Sequence, residues 1–180
     1  PADQALFLTF LAALNENSRS VIAKTGGIPP LVSLLRDDRT GHVQKSVAAV
    51  TLGTLAEGDD AIKAEIVGAG AVAPLVALVR NGTDTQTEQA AFALSKLAHD
   101  HAGSQAAIME AGGIVPLVAL IRDGTEEQKL AAVKVVVELV AGLSSNNVTY
   151  SAAMAEAGAI VPLVDLVRDG TERQQVLGAR

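Results

Sequence analysis

Gly70-Ala71-Val72-Ala73-Pro74-Leu75-Val76-Ala77-Leu78-Val79-Arg80 is one of four copies of the same phrase. The others occupy residues 26–36, 112–122 and 158–168, and their prolines, Pro30, Pro74, Pro116 and Pro162, lie 44, 42 and 46 residues apart. A period in the low forties, with a proline just inside an apolar helical pattern, marks an α-helical solenoid whose units stack on their neighbours. The 180 residues are therefore expected to bury a continuous apolar seam in place of one ball-shaped core.

Each unit reads as three helices. In the copy between Asp59 and Asp100, Ile62 and Ile66 give residues 61–67 a short apolar stripe, and Gly68-Ala69-Gly70 breaks it. The second helix starts near Ala71, with Pro74 in its first turn, where the N–H that proline lacks has no intrahelical partner. Leu75, Val76, Leu78 and Val79 supply its buried face, Arg80 sits against the negative helix pole, and Asn81-Gly82 ends it.

Thr83-Asp84-Thr85-Gln86 opens the third helix as a capping box, in which the Thr hydroxyl and the Gln side chain satisfy each other's free backbone donors. Thr125-Glu126-Glu127-Gln128 and Thr171-Glu172-Arg173-Gln174 repeat it, so Gln44, Gln86, Gln128 and Gln174 are periodic for a structural reason. Ala90, Ala91, Leu94, Leu97 and Ala98 mark the buried side of this helix. The equivalent series Leu8, Leu52, Leu94, Val136 and Leu11, Leu55, Leu97, Leu139 place part of a unit before the first proline.

Composition narrows the function classes. The net charge of -6 comes without an acidic or basic block, which argues for solubility and against nucleic acid as the main partner. The absence of cysteine removes disulfides and thiolate metal sites and fits a reducing compartment, so cytoplasm is the expected location, with the nucleus as the alternative. Apolar stretches such as residues 160–167 are interrupted by Pro162 and Asp165 and fall short of the roughly 20 residues that a membrane span needs, so direct membrane insertion is not expected. The start at Pro1, without Met or a targeting pattern, reads as a piece of a longer chain.

The order of short helix, Gly-x-Ile/Val-x-Pro-Leu-Val helix and long Ala/Leu-rich helix resembles the armadillo repeat over essentially the whole chain. That resemblance implies an all-α, right-handed solenoid of three-helix repeats of about 42 residues. Its frame would be a partial repeat at 1–15, full repeats at 16–57, 58–100 and 101–143, and a truncated repeat at 144–180. It implies binding in place of chemistry: the third helices of the family line a concave groove that holds extended peptides or partner segments.

The importin alpha members carry a Trp and, four residues later, an Asn on successive third helices. The matching pairs here are Leu6 and Phe10, Val50 and Thr54, Phe92 and Lys96, and Lys134 and Glu138. With no Trp in the chain and no Asn at these second positions, both the cation–π clamp and the backbone grip are missing, and nuclear-signal binding of that type is disfavoured. The style of the repeats is closest to vacuolar-type armadillo adaptors and to the armadillo tails of plant U-box ubiquitin ligases.

The expected function is a non-enzymatic scaffold or adaptor that binds a protein or peptide through Val50, Thr54, Phe92, Lys96, Lys134 and Glu138. Phe92 would be the apolar anchor, and Lys96 and Glu138 would select charge. The alternatives are the substrate-recruiting region of a larger U-box ligase and a nuclear transport adaptor. The apolar residues 6–11 and the absence of polar caps suggest further repeats or end-to-end self-association.

Several motifs have plainer explanations. Gly68-Ala69-Gly70-Ala71-Val72-Ala73 mimics a dinucleotide fingerprint, yet the strand that must precede one is absent, and no cofactor is expected. His99-Asp100-His101 offers metal ligands, but it falls where the third helix ends, where His suits the helix pole and Asp can cap the next helix. No second segment offers obvious further ligands, so no metal is expected, and no catalytic motif is present. Asn147-Val148-Thr149, a glycosylation sequon, and the insertion at 142–148 read as a solvated surface loop. The shorter expansion at Asp37-Asp38-Arg39-Thr40-Gly41 reads the same way.

Overall fold

The computed structural model describes residues 15–142 together with residues 13, 155, 156, 158, 160, 161, 164 and 168. Nine helices have both ends among these residues, in three successive triplets. The first triplet is α1 Glu16–Lys24, α2 Ile28–Arg36 and α3 His42–Leu55, and the second is α4 Asp60–Gly68, α5 Val72–Asn81 and α6 Asp84–Ala98. The third is α7 Ala102–Glu110, α8 Ile114–Asp123 and α9 Glu126–Ala141. Nearly all of the partial unit at 1–15 and of the insertion, and the whole of the third capping box at Thr171 and the sequon, lie outside the described residues. No single helix among the described residues is long and apolar enough to cross a membrane.

The repeated phrase builds the corner between first and second helices. Gly26, Gly70 and Gly112 take φ of +78°, +75° and +69°, a region that penalises a Cβ, and the chain turns there between two helices. Pro30, Pro74 and Pro116 fall in the first turn of α2, α5 and α8, where their missing N–H costs nothing. The apolar residues that follow close the corner: Leu31, Leu75 and Leu117 are fully buried.

Third helices form the spine. α3 packs extensively on α6 and α6 on α9, and each also lies on the second helix of its own triplet. Ala90, Ala91, Leu94, Leu97 and Ala98 have no solvent exposure, and neither do Leu52 and Leu55. Small residues set the spacing of this stack. A Cβ on Gly53 of α3 would lie 2.8 Å from Ala93 Cα and 3.0 Å from the Phe92 ring, so α6 approaches the α3 backbone directly.

The capping boxes form at Thr83 and Thr125, each with both reciprocal bonds. Their glutamines also do something that local sequence does not reveal. Gln86 Nε2 donates to His42 O at 3.4 Å and Gln128 Nε2 to Asp84 O at 3.1 Å, in both cases the first residue of the preceding third helix. Each buried Gln thus closes its own helix start and stitches it to the previous unit. Gln44 departs from the series, because the residue before α3 is Gly41, which has no side chain to cap it. The preceding expansion closes on itself: Arg39 N donates to Asp37 Oδ1, and the Arg39 guanidinium contacts the same carboxylate.

The arginines that end second helices likewise reach forward. Arg36 Nη2 donates to Ala69 O at 3.0 Å and to Gly70 O at 2.9 Å, which ties α2 to the corner of the next unit. Arg80 makes the equivalent contact with Gly112 O at 3.5 Å, whereas Arg122 pairs with Asp123. The fourth residues of α4 and α7 both serve the end of the third helix α6. Buried Lys63 donates to His99 O at 2.7 Å, and Gln105 donates to Ala98 O at 2.8 Å. Carbonyls at a helix C-terminus lack intrahelical donors, so these side chains complete α6.

One expected cap is corrected. Asp100 does not cap α7; His101 does, with Nδ1 accepting from Ser104 N at 3.1 Å. Asp100 instead takes a left-handed φ of +50°, where the preceding unit has Gly58 at +77°.

Candidate binding face on the third helices

Positions three and four residues apart on one helix share a face. On α3 the incompletely buried residues Val43, Val50, Thr54 and, just beyond the helix, Glu57 follow this spacing; on α6 so do Thr85, Gln89, Phe92, Lys96 and then His99. Because α3, α6 and α9 begin 42 residues apart and pack side by side, the expected residues fall into two rows. Val50, Phe92 and Lys134 occupy the ninth position of their helices, and Thr54, Lys96 and Glu138 the thirteenth.

The structure brings some of these side chains together in ways that change their chemistry. Lys96 Nζ lies 5.5 Å from the centre of the Phe92 ring, within cation–π range, and also pairs with Glu57 of the preceding unit. Hydrogen bonding from Lys96 holds the Glu57 carboxyl below its ordinary range, against an opposing desolvation effect. Glu138 accepts from His99: Nδ1 and Oε1 are 2.9 Å apart. The Thr54 hydroxyl donates back to Val50 O at 2.9 Å, and Lys134 is solvent-exposed. Phe92 is half-buried, its ring laid against Gly53.

Glu57 and His99 are functional neighbours that sequence reading missed. Each stands 39 residues before its partner, so one geometric rule joins Glu57 to Lys96 and His99 to Glu138, with the carboxylate on the earlier unit in the first pair and on the later unit in the second. Lys96 and Glu138 are therefore already engaged within the protein, which leaves the apolar part of this face the more open to a partner. Between α3 and α6, His42, Val43, Ser46, Val47, Val50 and Gln89 border a depression of about 390 Å³. Val43, on its rim, is 67% exposed and leaves apolar area available to a partner.

Comparison with known proteins places this geometry. No family model matches the chain. An 88-residue stretch is 33% identical to U-box domain-containing protein 11 of Arabidopsis thaliana; it makes up 49% of this chain and 14% of that protein. Among solved structures, an engineered protein superimposes with a TM-score of 0.88 at 28% identity, covering 99% of this chain and 70% of the other. A designed armadillo repeat protein in complex with the peptide (KR)4 gives a TM-score of 0.84 at 26% identity, covering 97% and 70%. Computationally designed armadillo repeat proteins for modular peptide recognition give 0.82 at 26% identity, covering 95% and 69%.

Proposed function

Because this chain belongs to the armadillo-repeat family, we propose that it is a non-enzymatic scaffold that holds an extended peptide or partner segment along α3, α6 and α9. The observation that carries this reading is the half-buried Phe92, one turn along α6 from Gln89, which borders the apolar depression, on a helix face where Lys96 already pairs with Glu57 and Glu138 already bonds to His99. An aromatic side chain fixed in place contributes contact area at small entropic cost. The partner it suits is an extended segment carrying an apolar or aromatic residue, with Lys134 and the rim of the Glu57–Lys96 pair adjusting charge preference. The relation to designed proteins that bind peptides supports the same reading.

A second reading is favoured by one observation, the match to a U-box protein: the array would recruit substrates for a larger ubiquitin ligase. It uses the same face, and a U-box encoded elsewhere in the full gene would decide for it.

Screening the full chain against a peptide array tests the binding face. Phe92→Ala is expected to weaken selected peptides at least about tenfold, equivalent to roughly 1.4 kcal/mol. Lys96→Glu is expected to change which charges are preferred. Binding that neither substitution alters, with helical circular dichroism retained in both variants, would overturn the assignment.

A further inference from the structure

At the C-terminal ends of α6 and α9, metal-ligating side chains from two successive units converge. His99 Nδ1 lies 2.9 Å from Glu138 Oε1, and His99 Nε2 lies 3.5 Å from Asp100 Oδ2. One ligand atom from each of the three residues lies within 4.8 Å of the other two. The sequence motif pointed to His101 as the third ligand and to no second segment, and the structure reverses both points. His101 is committed to capping α7, while Glu138, on α9, comes into contact with His99.

The matching place one unit earlier shows what is distinctive. There Glu57 pairs with Lys96, and Gly58 occupies the left-handed position between the helices. In the later unit all three positions change together: His99 replaces the carboxylate, Asp100 replaces the glycine, and Glu138 replaces the ammonium. A closed ion pair has given way to one imidazole and two carboxylates. Asp100 takes a backbone conformation that glycine adopts more readily, and it adds a carboxylate at that place.

We propose that His99, Asp100 and Glu138 form a divalent transition-metal site, with zinc as the ion it suits best, that clasps the second unit to the third. One nitrogen and two oxygens make a borderline donor set that suits Zn2+ and its neighbours Co2+ and Ni2+, with water completing the coordination. Zinc binds such ligands at about 2.0–2.2 Å, so ligand atoms around a tetrahedral ion lie about 3.4 Å apart. The present spacings of 2.9 Å between His99 and Glu138 and 3.5 Å between His99 and Asp100 bracket that value. His99 and Asp100 are open to solvent, which gives the ion a path of entry. The backbone end of α6 is meanwhile held by Lys63, which donates to His99 O. The site does not depend on the peptide-binding reading, although Glu138 belongs to both.

The test is titration of the untagged full chain with Co2+, followed by its visible absorption, and with Zn2+ by calorimetry. One ion per chain is expected, with micromolar affinity. His99→Ala, Glu138→Gln and Asp100→Gly should each weaken binding at least about tenfold through loss of a ligand. Asp100→Gly is the decisive variant, because Gly58 shows that glycine fits this backbone and the fold should be untouched. Absence of saturable binding, or binding that keeps its affinity in Asp100→Gly and Glu138→Gln, would overturn the proposal.

Discussion

Leu94→Ala is expected to lower the unfolding free energy by about 3–5 kcal/mol, the upper part of the range for truncating a buried leucine. Leu94 has no solvent exposure and lies on α6, the helix that packs against both α3 and α9. The starts of α6 and α9 are fixed by capping boxes and by the Gln86 and Gln128 bonds to the preceding unit, so collapse into a cavity there is restricted. In a stack whose stability is a sum of units and interfaces, damage at the middle unit weakens both of its interfaces. Urea unfolding followed by circular dichroism reads the effect, with Val43→Ala as the exposed control expected within about 0.5 kcal/mol of the parent. A Leu94→Ala change as small as that of the control would show that α6 is not the spine of the stack.

Gly53→Leu is expected to destabilise by about 1–3 kcal/mol through overpacking, despite leucine's better helix propensity. A side chain at this position meets the Ala93 backbone, which cannot rotate away, and the ring of Phe92. The substitution therefore has a second consequence beyond stability. Pushing α6 away from α3 displaces Phe92 from its seat and should reduce peptide affinity together with the unfolding midpoint. Unfolding and peptide titration on the same variant check both effects; a variant of parental stability would contradict the close approach of these two helices.

What could be read directly from the chain was chemistry confined to a few residues. A proline just inside a helix, a glycine that breaks one and the Thr-x-x-Gln boxes at Thr83 and Thr125 each act within one turn, and the structure places them as expected, adding that the glycines at the breaks are left-handed. The apolar faces of α5 and α6 followed from their spacing for the same reason. Contacts between units were not legible in this way. Arg36 looked like the end of a helix and proves to hold the next corner, while Gln86 looked like a local cap and also bonds to His42 O. Such roles depend on how far one unit advances over another, a quantity set by packing at places such as Gly53.

The candidate face shows the same division. The rows containing Val50, Phe92 and Lys134 and containing Thr54, Lys96 and Glu138 could be aligned from repeat phase alone. Their pairing partners could not, because Glu57 and His99 lie past the end of the preceding third helix and reach forward only through the stacking. A 39-residue offset between a carboxylate and a Lys or His side chain was the one available signal, and it shows only once helix boundaries are fixed. Asp100 was misassigned as a cap because aspartate is favoured there; the left-handed backbone between α6 and α7 gave that task to His101.

The chain contains no cysteine, which makes single-thiol footprinting the most direct test of where a partner lies. Val50→Cys reports the face formed by α3, α6 and α9, and Val115→Cys reports an exposed position on α8. With an array-selected peptide bound, modification at position 50 should slow at least about tenfold as the site is occupied, while position 115 keeps its rate. Protection of position 115 with position 50 unprotected would place the partner on the second helices and contradict binding along the third.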